Sequence, residues 1–425
     1  MLKKSPYTLK KIGPLIDLLS GFAFKSDEFS DVATTEQHIR LLRGINITEN
    51  AIRNNDTIDK FWFNSSTDLD KYYLKEGDLV ISMDGSKVGR NYALVSPKDL
   101  PSLLVQRVAR IRAKEGLHLP FLHQLIGSKI FTDYVDSVKT SSGIPHISAK
   151  QIKEFSIPLP NIAIQQKIAE VLSTVDKKIN LIDQKIAETE KLKTGLMQKL
   201  FSEGVGVQDE NGEWQPHTEF QDSPFGTIPA IWNLNKLSTY CSIVAGVSPS
   251  KLNLNESEGY PFFKVEEFNY SKKLLTKSRN YVSNQASCHT GEFLLLPKRG
   301  AAIFLNKLRL AKGTFQIDTN VMGISFDKEV ANLDFMLYRL LFERLESIAD
   351  VSTIPQINNK HINPYIIPLP PLGEQQKIAQ IISTVFEKID LLEQQKAETQ
   401  QLKKGLMQKL LTGEWRVSVE ETEAA

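Results

Sequence analysis

The stretch IPLPNIAIQQKIAEVLSTVDKKINLIDQKIAETEKLKTGLMQKL occupies residues 157–200, and IPLPPLGEQQKIAQIISTVFEKIDLLEQQKAETQQLKKGLMQKL occupies residues 367–410. Aligned at an offset of 210 they share 27 of 44 residues without a gap. The register holds upstream, where Ile144, Pro145, Ile147, Lys150 and Ile152 face Ile354, Pro355, Ile357, Lys360 and Ile362. A period this long marks a duplicated domain, not the short unit of a solenoid.

The repeated segments read as long helices. In the first copy Ile164, Ile168, Val171, Val175, Ile179, Ile182 and Ile186 step by 4, 3, 4, 4, 3 and 4, and Ile378, Ile381, Val385, Ile389 and Leu392 continue the pattern in the second. That is a coiled-coil seam with Glu, Lys and Gln on the outer faces. A continuous helix from Ala163 to Leu200 runs 38 residues, about 57 Å at 1.5 Å per residue. Two equal seams in one chain are expected to pack on each other, since either alone leaves an apolar stripe in water; the alternative is that each packs only on its own domain. Lys396 interrupts the seam where the first copy has Ile186. Gly195 and Gly405 lie inside the pattern, where glycine costs about 1 kcal/mol relative to alanine, and they suggest a close helix crossing or a helix end.

Before each helix stands a globular unit of about 150 residues. LKKIGPLIDLLSGFAFKS (Leu9 to Ser26) and LNKLSTYCSIVAGVSPS (Leu234 to Ser250) both run from an apolar segment into Gly21 or Gly246. IRLLRGINI lies opposite YPFFKVEEF, which sets Arg43 against Lys264, and LKEGDLVISMDGSKVGRNYALV lies opposite HTGEFLLLPKRGAAIFLNKLRLA. Each pair combines short β-like runs with glycine turns. The turn-rich linker from Ser202 to Trp232 separates the halves. The expected organisation is a first head at 1–156, a helical region at 157–204, a linker and second head at 205–366, a second helical region at 367–417 and an acidic tail at 418–425. Helices that stay nearly identical while the heads diverge suggest two heads with different targets.

Bulk properties bound the function. A chain of 425 residues, 41% hydrophobic and 24% charged, forms two or three ordinary globular domains. The sequence has neither an apolar run of the roughly 18 residues needed to cross a bilayer nor a secretory h-region, and a cytoplasmic protein is expected. Cys241 and Cys288 are too few for a zinc site and read as buried free thiols in preference to a disulfide. A net charge of +2 gives this chain no broad basic surface for strong non-specific DNA binding.

The distal segment Ile367 to Val417, the central segment Ile157 to Gly204, FQDSPFGTIPAIWNLNKL at the entry to the second head, and GDLVISMDGSKVGR and GEFLLLPKRG inside the heads resemble the specificity subunit of Type I restriction-modification enzymes. The resemblance spans essentially the whole chain. It implies an α+β fold in which two α/β target-recognition domains are separated by two long antiparallel helices forming a coiled coil with a pseudo-two-fold internal repeat. It further implies that each head reads one half of a split, asymmetric double-stranded DNA site while the helices fix the unread spacer. Two modification subunits that carry S-adenosylmethionine would dock on the helices, joined where present by two restriction subunits that use ATP and Mg; this chain itself would hold no cofactor. Heads reading major grooves on one face of B-DNA must stand about one helical turn, roughly 34 to 36 Å, apart, which a stiff helix of this length can span.

Base readout needs donors and acceptors on well-held loops. In the first head the densest such loops supply Ser82, Ser86, Lys87, Arg90 and Asn91, then Ser141, Ser142 and His146. In the second they supply Lys298, Arg299, Asn306 and Lys307, then Thr353, Gln356, Asn358 and Asn359. SSGIPHI and VSTIPQI stand directly before each helix, with His146 opposite Gln356. Arg43 and Lys264 are candidates for phosphate contact. Catalytic motifs do not emerge. NPY at Asn363 to Tyr365 lacks a proline of the adenine-methyltransferase loop and no glycine-rich cofactor motif precedes it, and GSK at Gly85 to Lys87 breaks the P-loop order. The expectation is a non-catalytic recognition subunit. Its rivals are a coiled-coil adaptor with protein-binding heads, which would lack salt-dependent DNA binding, and an independent enzyme that modifies DNA as a single chain.

Overall fold

The computed structural model describes residues 5–25, 29–33, 39–62, 67–140, 143–350 and 354–418. The α-helices among these residues are α1 (Leu119–Ile126), α2 (Lys129–Val138), α3 (Ala149–Glu154), α4 (Ile162–Ser202), α5 (Leu333–Glu343), α6 (Asn359–Ile362) and α7 (Leu372–Leu411). The chain forms two compact units, one comprising 1–183 with 394–425 and the other 184–393. Each unit therefore takes one head and a part of each long helix.

In the first unit a four-stranded antiparallel sheet runs in the order Ile16–Ser20, Val108–Ala113, Leu79–Ser82, Tyr92–Leu94. Leu79–Ser82 is buried at every position, as the central place of an apolar LVIS strand requires. Ser102–Leu104 runs parallel to Ile39–Leu42 in a second sheet. The second unit repeats these relations. Cys241–Ala245, Val321–Phe326, His289–Pro297 and Arg309–Ile317 follow one another as antiparallel neighbours, and Tyr260–Phe263 runs parallel to Arg309–Ile317. Gly21 and Gly246 hold equivalent places for a steric reason: a Cβ at Gly21 would stand 2.1 Å from the Val105 carbonyl oxygen, and at Gly246 2.0 Å from that of Asp318.

The two long helices contain 41 and 40 residues, slightly more than the periodicity predicts. The helices do pack on each other, and each packs on a head as well, so the alternative of packing on its own domain alone does not hold. In the first unit Ile168 and Leu172 of α4 share one core with Met407, Leu410 and Leu411 of α7 and with the head's Phe121, Leu122 and Phe155. Asp176 meets Lys403 at 2.6 Å and Asp183 meets Lys396 at 2.5 Å, so residue numbers fall along α7 as they rise along α4 and the helices are antiparallel. Lys396 thus fills its seam position by turning its ammonium to Asp183. In the second unit Met197, Leu200 and Phe201 share a core with Ile378, Ala379 and Ile382. Lys193, the counterpart of Lys403, sits 5.0 Å from the ring centre of Phe386, the counterpart of Asp176.

Gly195 and Gly405 differ from expectation. Both lie within the helices, neither at an end nor at a crossing, and a Cβ at either would meet nothing within 4 Å besides the backbone of its own helix. The polar clamps that fix each helix to its head sit elsewhere. Gln165 and Gln375 are fully buried. Gln165 Oε1 accepts from His118 N at 2.8 Å, and its Nε2 donates to the carbonyls of Gly116 and Pro160 at 3.0 and 2.9 Å. Gln375 makes the same three bonds with Asn332 N, Val330 O and Pro370 O, at 2.8, 2.8 and 2.7 Å. One glutamine supplies the acceptor and both donors that this corner lacks.

At the other end of α4, Arg339 donates from Nη1 to the Phe201 carbonyl at 2.8 Å among the rings of Phe201, Phe225 and Phe342, and pairs with Glu343. A cation there complements the negative helix terminus. Cys241 and Cys288 are free thiols and half-buried, less enclosed than expected; burial pushes Cys241 up to about 11. Among the described residues no helix is long and apolar enough to cross a membrane.

Candidate nucleic-acid interface

The two polar loops of each head, distant in sequence, are joined by backbone hydrogen bonds into one frame. In the first head Gly85 N donates to Pro145 O at 3.0 Å and Ile147 N to Met83 O at 2.8 Å, which brackets an antiparallel bridge between Asp84 and His146. In the second head Gly300 N donates to Pro355 O at 2.8 Å and Ile357 N to Lys298 O at 2.9 Å, around a bridge between Arg299 and Gln356. A third segment completes each frame, since Met83 N donates to Arg107 O at 2.8 Å and Lys298 N to Asn320 O at 2.9 Å. The turn at Gly85 has φ +96° and that at Gly300 φ +80°, a backbone that L side chains rarely adopt, which accounts for glycine at both places. The backbone is thus the same in both heads and the side chains are not: Asp84 answers to Arg299, His146 to Gln356 and Arg107 to Asn320.

The expected contact residues divide by what already holds them. Ser86, Lys87 and Arg90 are exposed on the first loop, with Arg90 Nη2 3.4 Å from Asp136. His146 and Asn91 are half-buried beside them. Arg299 and Asn359 are exposed in the second head, and Lys298 and Gln356 are half-buried. Ser82 is only 2% exposed and turns its hydroxyl to the Asp84 carbonyl, so it presents nothing outward. Arg43 and Lys264 do occupy equivalent places, each opening a short 3-10 turn after a strand. Arg43, however, donates to the Ile58 carbonyl and its partial burial lowers its pKa, while Lys264 Nζ lies 3.3 Å from Asn280 Oδ1. Asn306 donates to the Leu341 carbonyl at 2.7 Å, Lys307 to Asn269 Oδ1 at 2.5 Å, and Asn358 caps α6. Ser141, Ser142 and Thr353 lie outside the described residues.

Sequence reading missed Asp84, Arg107 and Asn320. Asp84 was hidden by its acidic character, which argues against a phosphate neighbour. Arg107 fell inside QRVARIRA, which reads as one strand; the strand begins only at Val108, after a turn closed by Val108 N on Val105 O at 3.2 Å.

The first unit also buries two polar side chains of α1, His123 and Gln124. His123 Nε2 meets Asn50 Oδ1 at 2.7 Å, and Gln124 donates to Asp176 at 2.9 Å. Burial, aided by Lys403 and opposed by Asp176, lowers His123 from 6.5 to about 4. The unfolded chain therefore takes up a proton near pH 6.5 that the folded protein refuses. This contribution to stability is complete above that value and is lost as the pH falls from about 6.5 toward 4. The expected loss is on the order of 2–3 kcal/mol. His123→Gln should flatten the pH dependence of denaturant unfolding in this window; an unchanged slope would show that His123 is not buried neutral.

Two unlike sets of outward side chains on one repeated backbone define a two-headed protein in which the surface residues of the frame vary while its backbone does not. Residues 4–191 and 229–401 both match the family described as Type I restriction modification DNA specificity domain, and the chain belongs to that family. It is a type I restriction-modification DNA specificity subunit with two target-recognition domains. The MjaVIII specificity subunit of Methanocaldococcus jannaschii is 26% identical to it over 357 residues, covering 81% of this chain and 80% of that protein. The EcoAI specificity subunit of Escherichia coli is 33% identical over 174 residues, 39% of this chain and 28% of that protein. The fold is similar to that of the S subunit of a Type-I restriction-modification system from M. genitalium, with a TM-score of 0.59 at 16% identity over 96% of this chain and 97% of that one.

Proposed function

We propose that each head reads one half of a bipartite, asymmetric DNA site through its three-segment frame, and that the paired helices set the length of the unread spacer. The observation that supports this is the pairing of a common backbone with unlike outward residues: Asp84, Ser86, Lys87, Arg90 and His146 on one head, Lys298, Arg299, Gln356 and Asn359 on the other. Direct readout asks for such variation, because base edges differ in donor and acceptor pattern whereas phosphates do not. Lys87 and Arg90 beside the first frame, and Lys298 on the second, suit phosphate contact.

The helices are the dock for two modification subunits in this reading. Leu181 and Leu402 in the first unit are 58% and 55% exposed, and their repeat counterparts Leu391 and Leu192 in the second are 48% and 55% exposed. Leucines left in water at matching places of a repeat suit two copies of one partner. S-adenosylmethionine, ATP and Mg belong to the partner subunits, and the chain itself performs no catalysis.

Inserting one heptad into each helix, between Asp183 and Ile186 in α4 and between Glu393 and Lys396 in α7, adds about 10.5 Å of helix while keeping the seam in phase. The assembled methyltransferase complex is then expected to methylate a site with both half-sites unchanged and the spacer longer by up to about three base pairs. An unchanged spacer would refute the role of the helices. A wild-type complex whose DNA binding ignores salt would instead favour the protein adaptor.

A further inference from the structure

We infer that Arg107 is a base-reading residue of the first head, doing from a different position of the frame what Arg299 does in the second, and that it is set to recognise a guanine edge. The inference rests on the reading that the heads bind DNA. Three observations carry it. First, Arg107 belongs to the frame: its carbonyl accepts from Met83 N at 2.8 Å, next to the Asp84–His146 bridge. Second, its side chain is 60% exposed, and its Nη1 meets Asp84 Oδ2 at 2.8 Å. Asp84 is the outward residue of the glycine turn, and a carboxylate there holds one arm of a planar fork while leaving the other edge free. Among the described residues the guanidinium has no further hydrogen bond or ion pair beyond Asp84.

Third, Arg107 has φ +66°, at the third position of the Val105–Val108 turn, where glycine or asparagine is the usual occupant. A long, unbranched cation held in that conformation is a local cost that packing does not explain, since the side chain is in solvent.

The second head reaches a similar result from another point of the chain. Its turn residue is Arg299, exposed, and at the position of Arg107 it has Asn320, exposed, with its backbone N and Nδ2 both on Asp318 Oδ2 at 3.1 and 2.9 Å. Each frame therefore offers one outward guanidinium, from the Val105–Val108 turn in the first head and from the glycine turn in the second. An arginine fork donating to O6 and N7 of guanine is the commonest specific contact in the major groove.

The test uses the complex with its modification subunits acting on a pool of random-sequence duplexes, with methylated molecules sequenced. Arg107→Lys keeps the charge but not the fork, and Arg107→Asn places at this turn a residue that tolerates φ above zero. Both are expected to erase a guanine preference of roughly 5- to 150-fold at one position of one half-site, leaving the other half intact. Arg299→Lys should do the same in the opposite half. A motif unchanged in both Arg107 variants would overturn the inference. So would a uniform fall over all sequences with a shallower salt dependence, the mark of a phosphate contact. If the wild-type complex yields no bipartite motif, the DNA reading itself fails and takes this inference with it.

Discussion

Glu374→Ala is expected to destabilise the second unit by about 3–5 kcal/mol and to lower its melting temperature by roughly 10 °C. The carboxylate is 3% exposed and serves four donors drawn from the linker. Oε1 accepts from Val205 N at 2.9 Å, Gly206 N at 3.2 Å and His217 Nε2 at 3.0 Å, and Oε2 accepts from Trp232 Nε1 at 2.9 Å. Gly204 and Gly206, at φ +72° and +110°, let the chain wrap that closely; a Cβ on Gly204 would stand 2.1 Å from Oε1. Removing the acceptor leaves these enclosed donors without their partner, and this asymmetry makes the loss larger than the net worth of the bonds. Glu374→Gln should recover little, because its amide nitrogen would face donors. The first unit has Ile164 at the equivalent position, so its transition should not move. Calorimetry of the variant resolves the two, and an unchanged second transition would remove Glu374 from the account of how the linker is held.

Exchanging the whole first head for one from another member of the family is expected to replace one half of the methylated site and preserve the other. The join should follow Pro160. Residues 156 and 157 lie inside the strand Ser156–Pro158, which pairs with Leu9–Lys11, so a cut between them divides a ladder that the head needs. Joined after Pro160, the foreign head must still meet Gln165, whose three hydrogen bonds reach only backbone groups of the head, at Gly116, His118 and Pro160. Backbone recognition of this kind tolerates a new head as long as its turn before the first helix is kept. Sequencing of methylated DNA reads the result directly. A change in both halves would show that the heads do not read independently.

Much of the architecture was legible in the residues alone. The duplication, the two long helices and the correspondence of Gly21 with Gly246 and Arg43 with Lys264 all follow from letters and spacing, because helical periodicity and close backbone approach leave local signatures. Gly195 and Gly405 misled for the opposite reason. Identity in both copies invites a packing explanation, yet their surroundings are open, and nothing in the structure explains them.

The contact surface was legible only in part. Polar loops can be found by composition, but burial decides which of their residues face outward. Ser82 and Asn306 have the right chemistry and spend it on carbonyls of their own head. Arg107 looked like a strand residue and stands on a turn. Helix registry and domain duplication are properties of the chain near itself, so the sequence alone determined the two-headed frame. Which side chains converge on one point of each head depends on hydrogen bonds between segments 60 residues apart, as Gly85 to Pro145 shows. Such pairing has no local periodicity, and only the tertiary structure decided it.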